Sequence, residues 1–273
     1  MLIKALVENT TISDNFGNEH GLSLYLETET NKVLFDVGAS DLFFQNAKKL
    51  DVNIAEVDFL VISHGHYDHG GGLETFLEEN RKAKVFLHGL AFEQYYAVRP
   101  NGKLDFIGLD EKLRQNQQII LTSEHFFINS KIQLFSNIVQ REPLPKSNNN
   151  LLLKYKGEMI PDTFKHEQNL VIKEDGKILL VTGCAHNGII NILEHFQKIM
   201  GQVPNYVIGG FHLSSRSDGD VDSKMIDDIG RYLMSTKARF YTCHCTGIEP
   251  YKRLKAIMGD NINYLSTGEQ IKI

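Results

Sequence analysis

Short apolar runs separated by polar turns dominate the first third of the chain. Runs of this length, bounded by turn residues, are typical of strands, and the run Val57–Ile62 has the β-branched content of a strand buried within a sheet. Two segments between them are predicted as helices, Ser40–Leu50, with Ser40 as its N-cap, and Leu73–Asn80. The predicted strands are Leu2–Val7, Leu22–Leu26, Lys32–Phe35, Val57–Ile62 and Lys84–Leu87.

The same alternation of strands and helices returns in the second half. We find no linker between the halves, and therefore predict a single α/β (α+β) domain over residues 1–273, made of two βα-rich halves. The predicted elements are strands Asn169–Lys173, Lys177–Val181, Tyr206–Ile208, Arg239–Thr242 and Ile262–Leu265, and helices Gly188–Met200, Asp222–Ser235 and Glu249–Met258.

The stretch from about 90 to 165 has a different pattern. Its strand signals are weaker, at Ile119–Thr122, Ile132–Phe135 and Leu151–Tyr155, and the tract Arg141–Asn150 is polar with two prolines. We expect peripheral hairpins and a mobile loop that could cover a site. The alternative for the polar tract is a solvated insertion without function.

Composition narrows the class of protein. A hydrophobic content of 42% argues against disorder, and a net charge of −5 argues against a nucleic-acid or anionic-membrane partner. The start lacks a signal peptide pattern, and no apolar run is long enough to cross a membrane. Three cysteines cannot form a disulfide framework, which favours a cytoplasmic protein. We expect a small-molecule substrate; the oligomeric state stays open.

A dense group of potential metal ligands follows the predicted strand Val57–Ile62. His64, His66, Asp68 and His69 form the pattern H-x-H-x-D-H, with Gly65 inside it and three glycines, Gly70–Gly72, directly after it. If the backbone stays extended, His64, His66 and Asp68 point one way, and the turn that follows brings His69 round. Imidazole and carboxylate groups suit zinc, iron or manganese. The alternative is a set of surface histidines in a polar loop, which this spacing disfavours.

Three other predicted strands end in histidine-bearing turns. They carry Cys184 and His186, His212, and His244. Because α/β proteins build sites at strand ends, we expect these side chains to join the metal site. Cys184 is either a thiolate ligand or a small core residue, and the cysteines flanking His244 could simply face the core.

Asp36 ends another strand and is a candidate to hold a ligand histidine through its ring N–H; the alternative is a cap for the helix near Ser40. Weaker candidates for substrate contact are His20 and His166, and for phosphate anchoring Arg216 and Lys224. We expect His88, His125 and His195 to be ordinary surface or core residues.

The strand–HGHYDH–helix unit, LFDVG and the strand-end histidines resemble the metallo-β-lactamase superfamily. EHGLS, ISHGHYDHGGGL, TGCAHNGI, IGGFHL and CHCTG resemble, more narrowly, the branch of archaeal 7,8-dihydropterin-6-methyl-4-(β-D-ribofuranosyl)aminobenzene 5′-phosphate synthases and their bacterial homologues. The resemblance covers nearly the whole chain and is weakest from about 90 to 165. It implies a four-layer αββα sandwich with two pseudo-related halves and the metals at one edge.

The resemblance also implies roles for individual residues. His64 and His66 would bind a first metal, and Asp68 and His69 a second, with His244 as the last ligand of the second. The family's third histidine for the first metal has no clear match between the halves, so His186 is the candidate to replace it. Cys184 occupies a position that commonly carries a bridging aspartate, and His212 is left as a ligand or as a general acid that faces the substrate.

Two divalent metal ions are therefore expected, zinc first, with manganese or iron as alternatives. The leading hypothesis is a hydrolase that uses a metal-activated hydroxide, oriented by Asp68, on an ester, phosphoester or amide. A transferase like the archaeal synthases is the second, with Phe16, Phe164, Tyr95 and Tyr96 as candidates to stack on a pterin or else to pack. An iron-dependent redox protein and a metal-binding protein with a vestigial site are further alternatives.

Overall fold

The computed structural model describes residues 1–214 and 222–273 of the chain. Within these ranges the helices are α1 (Leu42–Lys49), α2 (Tyr67–Gly70), α3 (Leu73–Glu79), α4 (Ile189–Met200), α5 (Ser223–Thr236) and α6 (Ile248–Met258). The strands are β1 (Leu2–Val7), β2 (Ser23–Glu27), β3 (Lys32–Phe35), β4 (Phe59–Val61), β5 (Lys84–His88), β6 (Tyr95–Val98), β7 (Leu104–Phe106), β8 (Ile119–Thr122), β9 (His125–Phe127), β10 (Ile132–Phe135), β11 (Leu151–Tyr155), β12 (Glu158–Pro161), β13 (Asn169–Glu174), β14 (Lys177–Val181), β15 (Tyr206–Gly209), β16 (Arg239–Thr242), β17 (Ile262–Tyr264) and β18 (Gln270–Lys272).

Two seven-stranded sheets form the centre of the fold. Their orders are β18-β1-β2-β3-β4-β5-β8 and β17-β16-β15-β14-β13-β10-β9. In each sheet a set of antiparallel pairs is followed by three parallel pairs, β3 to β8 in the first and β14 to β17 in the second. This repeated arrangement brings the carboxyl ends of parallel strands from both sheets to the metal-ligand motifs.

Alternating side chains build the four layers. On β3, Val33 and Phe35 pack between the two sheets, whereas Leu34 packs with Phe43 and Ala47 of α1 on the outer face. The second sheet behaves in the same way, with its outer face packed on α4, α5 and α6. Because a central strand such as β3 is buried on both faces, its sequence is a continuous apolar run rather than an alternation of apolar and polar residues. The expected four-layer αββα sandwich is confirmed.

The stretch from 90 to 165 differs in part from our expectation. Four of its strands, β6, β7, β11 and β12, form a separate four-stranded sheet. However, β8 and β10, which we expected to be peripheral, belong to the two main sheets, and all four residues of β10 are buried. The signal at β8 is weak because this edge strand is only half-buried, so its side chains do not alternate clearly.

Helix boundaries differ slightly from those predicted. α1 begins at Leu42 rather than Ser40, and Asp41 is its N-cap without a side-chain cap bond. Among the described residues, no helix combines the length and apolar character that crossing a bilayer requires.

Candidate metal centre

The extended backbone that we considered for the H-x-H-x-D-H segment is found in only part of it. His66 has extended backbone angles, but Tyr67 starts the short helix α2, which carries Asp68 and His69. The helical turn, rather than strand alternation, therefore brings Asp68 and His69 to the site. Gly65 is needed in this segment, because a Cβ atom there would lie 2.2 Å from the carbonyl oxygen of Ala91.

The other strand-end candidates reach the same place from the second sheet. Cys184 and His186 follow β14, His212 follows β15, and His244 follows β16. His212 and His244 have φ angles of 49° and 50°, in the left-handed region that non-glycine residues rarely adopt. Strained residues of this kind persist where the surrounding structure holds them, and they concentrate at functional sites.

The ligand atoms form two clusters. In the first cluster, His64, His66 and His186, the candidate ligand atoms lie within 4.8 Å of one another, and the Nε2 atoms of His64 and His186 are 3.3 Å apart. In the second cluster, Asp68, His69 and His244, the Nε2 atoms of the two histidines are 3.2 Å apart, and Asp68 Oδ2 lies 3.4 Å from His244 Nε2.

Cys184 lies between the two clusters. Its Sγ atom is 3.1 Å from His69 Nε2 and belongs with His64 and His69 to a further set of ligand atoms within 4.8 Å of one another. His20 extends the second cluster, with its Nε2 atom 3.3 Å from Asp68 Oδ2. The structure thus brings together every residue predicted as a metal ligand, together with His20.

Hydrogen bonds assign the tautomers in the first cluster. The hydroxyl of Ser63 donates to the Asp36 carboxylate, so it accepts from Nδ1 of His64 at 2.8 Å. Asn148 donates to the His186 carbonyl, so its oxygen faces His186 Nδ1 at 2.9 Å and accepts from it. Both histidines therefore carry their proton on Nδ1 and direct an Nε2 lone pair at each other.

The second cluster is held in the same way. Nδ1 of His69 lies 2.6 Å from the Asp36 carboxylate, which can only accept. The oxygen of Asn9 accepts from the Gly21 N–H and, at 2.8 Å, from Nδ1 of His244. In this cluster too, the Nε2 atoms point inward. Asp36 is thus bound to Ser63 and His69, and it does not cap α1.

Two lone pairs facing each other at 3.2–3.3 Å repel unless a cation or a proton lies between them. Burial, with repulsion from neighbouring histidines, lowers the pKa of His64 and of His186 well below the ordinary value, so neither binds a proton at neutral pH. Burial also lowers the pKa of His69, but the carboxylates of Asp36 and Asp68 outweigh it and raise the pKa to about 9. The donor set and its geometry therefore fit divalent cations.

Two buried glutamates fix the backbone of the ligand turns. Glu8 Oε1 accepts from the N–H of His244 at 2.6 Å, and Glu167 accepts from the N–H groups of His186 and Asn187 at 2.6 and 3.0 Å. Both glutamates are fully buried. Each carboxylate satisfies backbone donors that would otherwise be unpaired at a strained turn.

His166 is a positioning residue in the structure. Its Nδ1 accepts from the Gly65 N–H at 2.9 Å, and its Nε2 lies 3.0 Å from the carboxylate of Asp162. Both ring nitrogens are thus occupied and the side chain is buried, which does not fit the expected substrate contact. The same Asp162 carboxylate lies 3.8 Å from Nε2 of His66. Asp162, which His166 contacts, therefore helps to position the ring of this candidate ligand.

A cavity of about 420 Å³ opens over both clusters. One wall is formed by residues of the four-stranded sheet and its flanks, including Ala97, Arg99 and Leu151. His212 also lines the cavity, and both of its ring nitrogens are buried without a hydrogen-bond partner among the described residues. Ser147, in the polar tract that we expected to be a mobile loop, binds the backbone carbonyl of His212.

Other candidates lie elsewhere. Phe164 stacks on His186 and Tyr95 packs against His166 at a tilt, so both aromatic rings contact histidines of the site or its supports. Lys224 lines a different cavity beside α4 and α5. Arg216 lies outside the described residues. Sequence reasoning missed Glu8, Asn9, Asn148, Asp162 and Glu167 as supports of the site.

Comparisons with known proteins identify the family of the chain. The profile of the metallo-beta-lactamase superfamily matches residues 17–125. In Methanocaldococcus jannaschii, the uncharacterized protein MJ0448 is 30% identical over all of both chains. The 7,8-dihydropterin-6-methyl-4-(beta-D-ribofuranosyl)-aminobenzene-5′-phosphate synthase of the same organism is 28% identical over 94% of this chain and 91% of its own.

A solved structure gives the same answer for the fold. Tm1679, described as a metal-dependent hydrolase of the beta-lactamase superfamily, is 30% identical, covers 100% of this chain with 99% of its own, and superposes with a TM-score of 0.84. The resemblance found in the motifs is thereby confirmed. The chain belongs to the metallo-β-lactamase superfamily.

Proposed function

We propose that the protein is a dinuclear metal-dependent hydrolase that acts on a small anionic ester, phosphoester or amide. The observation that carries this proposal is the pairing of inward Nε2 atoms in two adjacent clusters, each open to one cavity. Membership of the superfamily supports it, as does the relationship to a protein described as a metal-dependent hydrolase.

The proposed ligands of the first metal are His64, His66 and His186, and those of the second are Asp68, His69, His244 and Cys184, whose thiol lies beside His69. This set combines imidazole, carboxylate and thiolate groups. Thiolate favours zinc or iron over manganese, because manganese prefers oxygen ligands. We therefore propose two zinc ions, with iron as the alternative.

Two divalent ions held by these residues would supply hydroxide near neutral pH and polarise the bond under attack. Asp68 orients the attacking group, since its carboxylate is held ionised: burial favours the neutral acid, but the neighbouring histidines lower its pKa well below the ordinary value. His212 is proposed to give a proton to the leaving group, because its unpartnered ring lines the cavity.

Arg99 supports an anionic substrate. It is the one arginine or lysine among the described residues that line the cavity. Its Nε donates to Asp105 at 2.9 Å, which orients the guanidinium, and Lys103 offsets the charge of the same carboxylate. The local charge is therefore +1, and an oriented guanidinium suits a phosphate or a carboxylate.

A transferase is the second candidate, supported by the similarity to the archaeal synthase along 94% of this chain. The two functions differ in their acceptor. A hydrolase needs water alone, whereas a transferase requires a second organic substrate before product forms.

The test is a screen of zinc-loaded protein with phosphodiester, carboxylic ester, amide and pterin-diphosphate substrates, first in buffer and then with an aromatic amine. We expect turnover in buffer alone and its loss in the His66→Ala, Asp68→Ala double variant. His195→Ala, a histidine on α4 packed against Phe135, serves as the matched control and should keep full activity. Turnover only with the amine present would instead favour the transferase, and turnover that survives the double variant would contradict both.

A further inference from the structure

The two cysteines around His244 have different environments. Cys243 is fully buried in the core between the sheets, together with Phe35 and Val181. Cys245 instead lines the cavity over the metal clusters. The left-handed backbone at His244 breaks the strand alternation that would have sent both thiols the same way. The core position that we allowed for both cysteines therefore holds for Cys243 only.

The thiol of Cys245 lies among metal ligands. Its Sγ atom, Cys184 Sγ and a ring nitrogen of His244 are all within 4.8 Å of one another. Neighbouring ligands of one zinc ion lie about 3.5 Å apart, given Zn–S and Zn–N distances of about 2.3 and 2.0 Å. Small side-chain movements therefore bring these three groups to a shared ion.

The neighbouring backbone leaves room for this thiol. A Cβ atom at Gly210, which follows β15, would lie 2.4 Å from Cys245 Sγ, so a side chain there would displace the sulfur. The thiol is 3.5 Å from the carbonyl oxygen of Cys184, and the side chains of Cys184 and His212 are its neighbours. A nearly buried thiol beside a second thiol and the imidazoles of His212 and His244 has the environment of a thiolate ligand.

We propose that Cys245 is a further ligand of the second metal, so that two thiolates, from Cys184 and Cys245, join the ligands Asp68, His69 and His244 proposed above. The inference rests on the proposed dinuclear site and goes beyond it, because none of the motifs that identified the site assigns this cysteine a role. Two thiolates make the second position selective for zinc or iron, since softer sulfur ligands disfavour manganese.

Cobalt(II) gives a readout that does not depend on activity. The metal-stripped protein is reconstituted with cobalt, and bound cobalt is counted from its visible bands and by elemental analysis. Thiolate ligands are counted separately, from the sulfur-to-cobalt charge-transfer band in the near ultraviolet. Cys184→Ser, Cys245→Ser and, as the matched control, Cys243→Ser are compared with the wild-type protein, with circular dichroism as the check of folding.

We expect Cys245→Ser to lose about half of the charge-transfer intensity per cobalt, as the loss of one of two thiolate ligands requires. Cys184→Ser should keep a residual band and Cys243→Ser the full band. A charge-transfer band of full intensity in Cys245→Ser, or no band in Cys184→Ser, overturns the inference. If Cys245→Ser does not fold, the result for Cys184→Ser decides. Failure of the wild-type protein to bind cobalt would instead contradict the dinuclear site itself.

Discussion

The Nδ1 atom of His69 lies 2.6 Å from Oδ2 of Asp36, and both side chains are fully buried. Asp36 directly follows β3, and His69 lies on α2, which follows the adjacent parallel strand β4; the ends of the two strands pair at Phe35 and Val61. The same carboxylate accepts from the N–H and the hydroxyl of Ser63. One aspartate thereby directs the Nε2 lone pair of His69 into the site and, through Ser63, that of His64.

Replacement of this aspartate should weaken metal binding without removing a ligand. In Asp36→Asn the amide no longer provides the negative charge that holds the His69 proton on Nδ1. We expect the zinc dissociation constant to rise about 10–100-fold, as for other groups that orient metal-bound histidines. Competition with a chelating dye measures it. Asp41→Asn at the start of α1 is the control, and equal affinities of the two variants would contradict the role of Asp36.

His212 should affect turnover rather than metal content. Loss of a general acid lowers the rate by about 10²–10⁴-fold, so His212→Gln should show this fall in kcat for substrates with poor leaving groups. Zinc per chain, measured in the same preparation, should stay at the wild-type value. A variant that loses zinc would identify His212 as a ligand, and one that keeps full kcat would leave it without a role in the reaction.

Metal affinity should increase with pH. His69 has a pKa of about 9 in the metal-free protein, so near neutral pH it carries a proton that metal binding must release. The apparent affinity should therefore rise up to about tenfold per pH unit for this proton below pH 9, and this contribution should level off above it. Calorimetry in buffers of different ionisation enthalpy counts the released protons. Asp36→Asn removes a charge that raises the pKa of His69, so the metal affinity of this variant should depend less steeply on pH. A wild-type metal affinity that is independent of pH would contradict a protonated His69 at neutral pH.

Arg99 should determine affinity for the anionic part of the substrate. Arg99→Gln removes the guanidinium from the cavity wall, and we expect KM to rise about 10–100-fold, the loss of a charge-assisted hydrogen bond of about 1.5–3 kcal/mol. The effect on kcat should be small. Lys103→Gln is the matched control, because Lys103 shares the Asp105 partner but does not line the cavity. Equal effects of the two substitutions would show that only the general surface charge matters.

The ligand positions could be predicted from the sequence because each one directly follows an apolar strand. His186 and His244, for example, each lie a few residues beyond a buried strand of the second sheet. Parallel strands bring such positions to one edge, whatever their separation along the chain. The α/β class could be predicted from the alternation of strand-like and helix-like segments along the chain, whereas the four-layer sandwich was implied by the resemblance to the metallo-β-lactamase superfamily.

The supports of the site could not be predicted in this way. Glu8 binds the backbone of His244 across 236 positions of sequence, and no local pattern signals such a contact. Asn148 lies in a polar tract whose composition suggests a solvated loop, yet it is buried against His186. The helical turn at Asp68 was missed because glycines permit several backbone paths, and tertiary contacts select one of them.

The measurement that tests the central claim most directly is elemental analysis of the protein purified without added metal, expressed per chain. For the wild-type protein we predict about two zinc ions per chain, or two iron ions if iron occupies the site. We predict about one ion per chain in His186→Ala and nearly none in the His66→Ala, Asp68→Ala double variant. The circular dichroism of the double variant should remain that of the folded protein. Stoichiometry that is unchanged in the double variant, or a wild-type protein that neither retains nor binds metal, would contradict the dinuclear site.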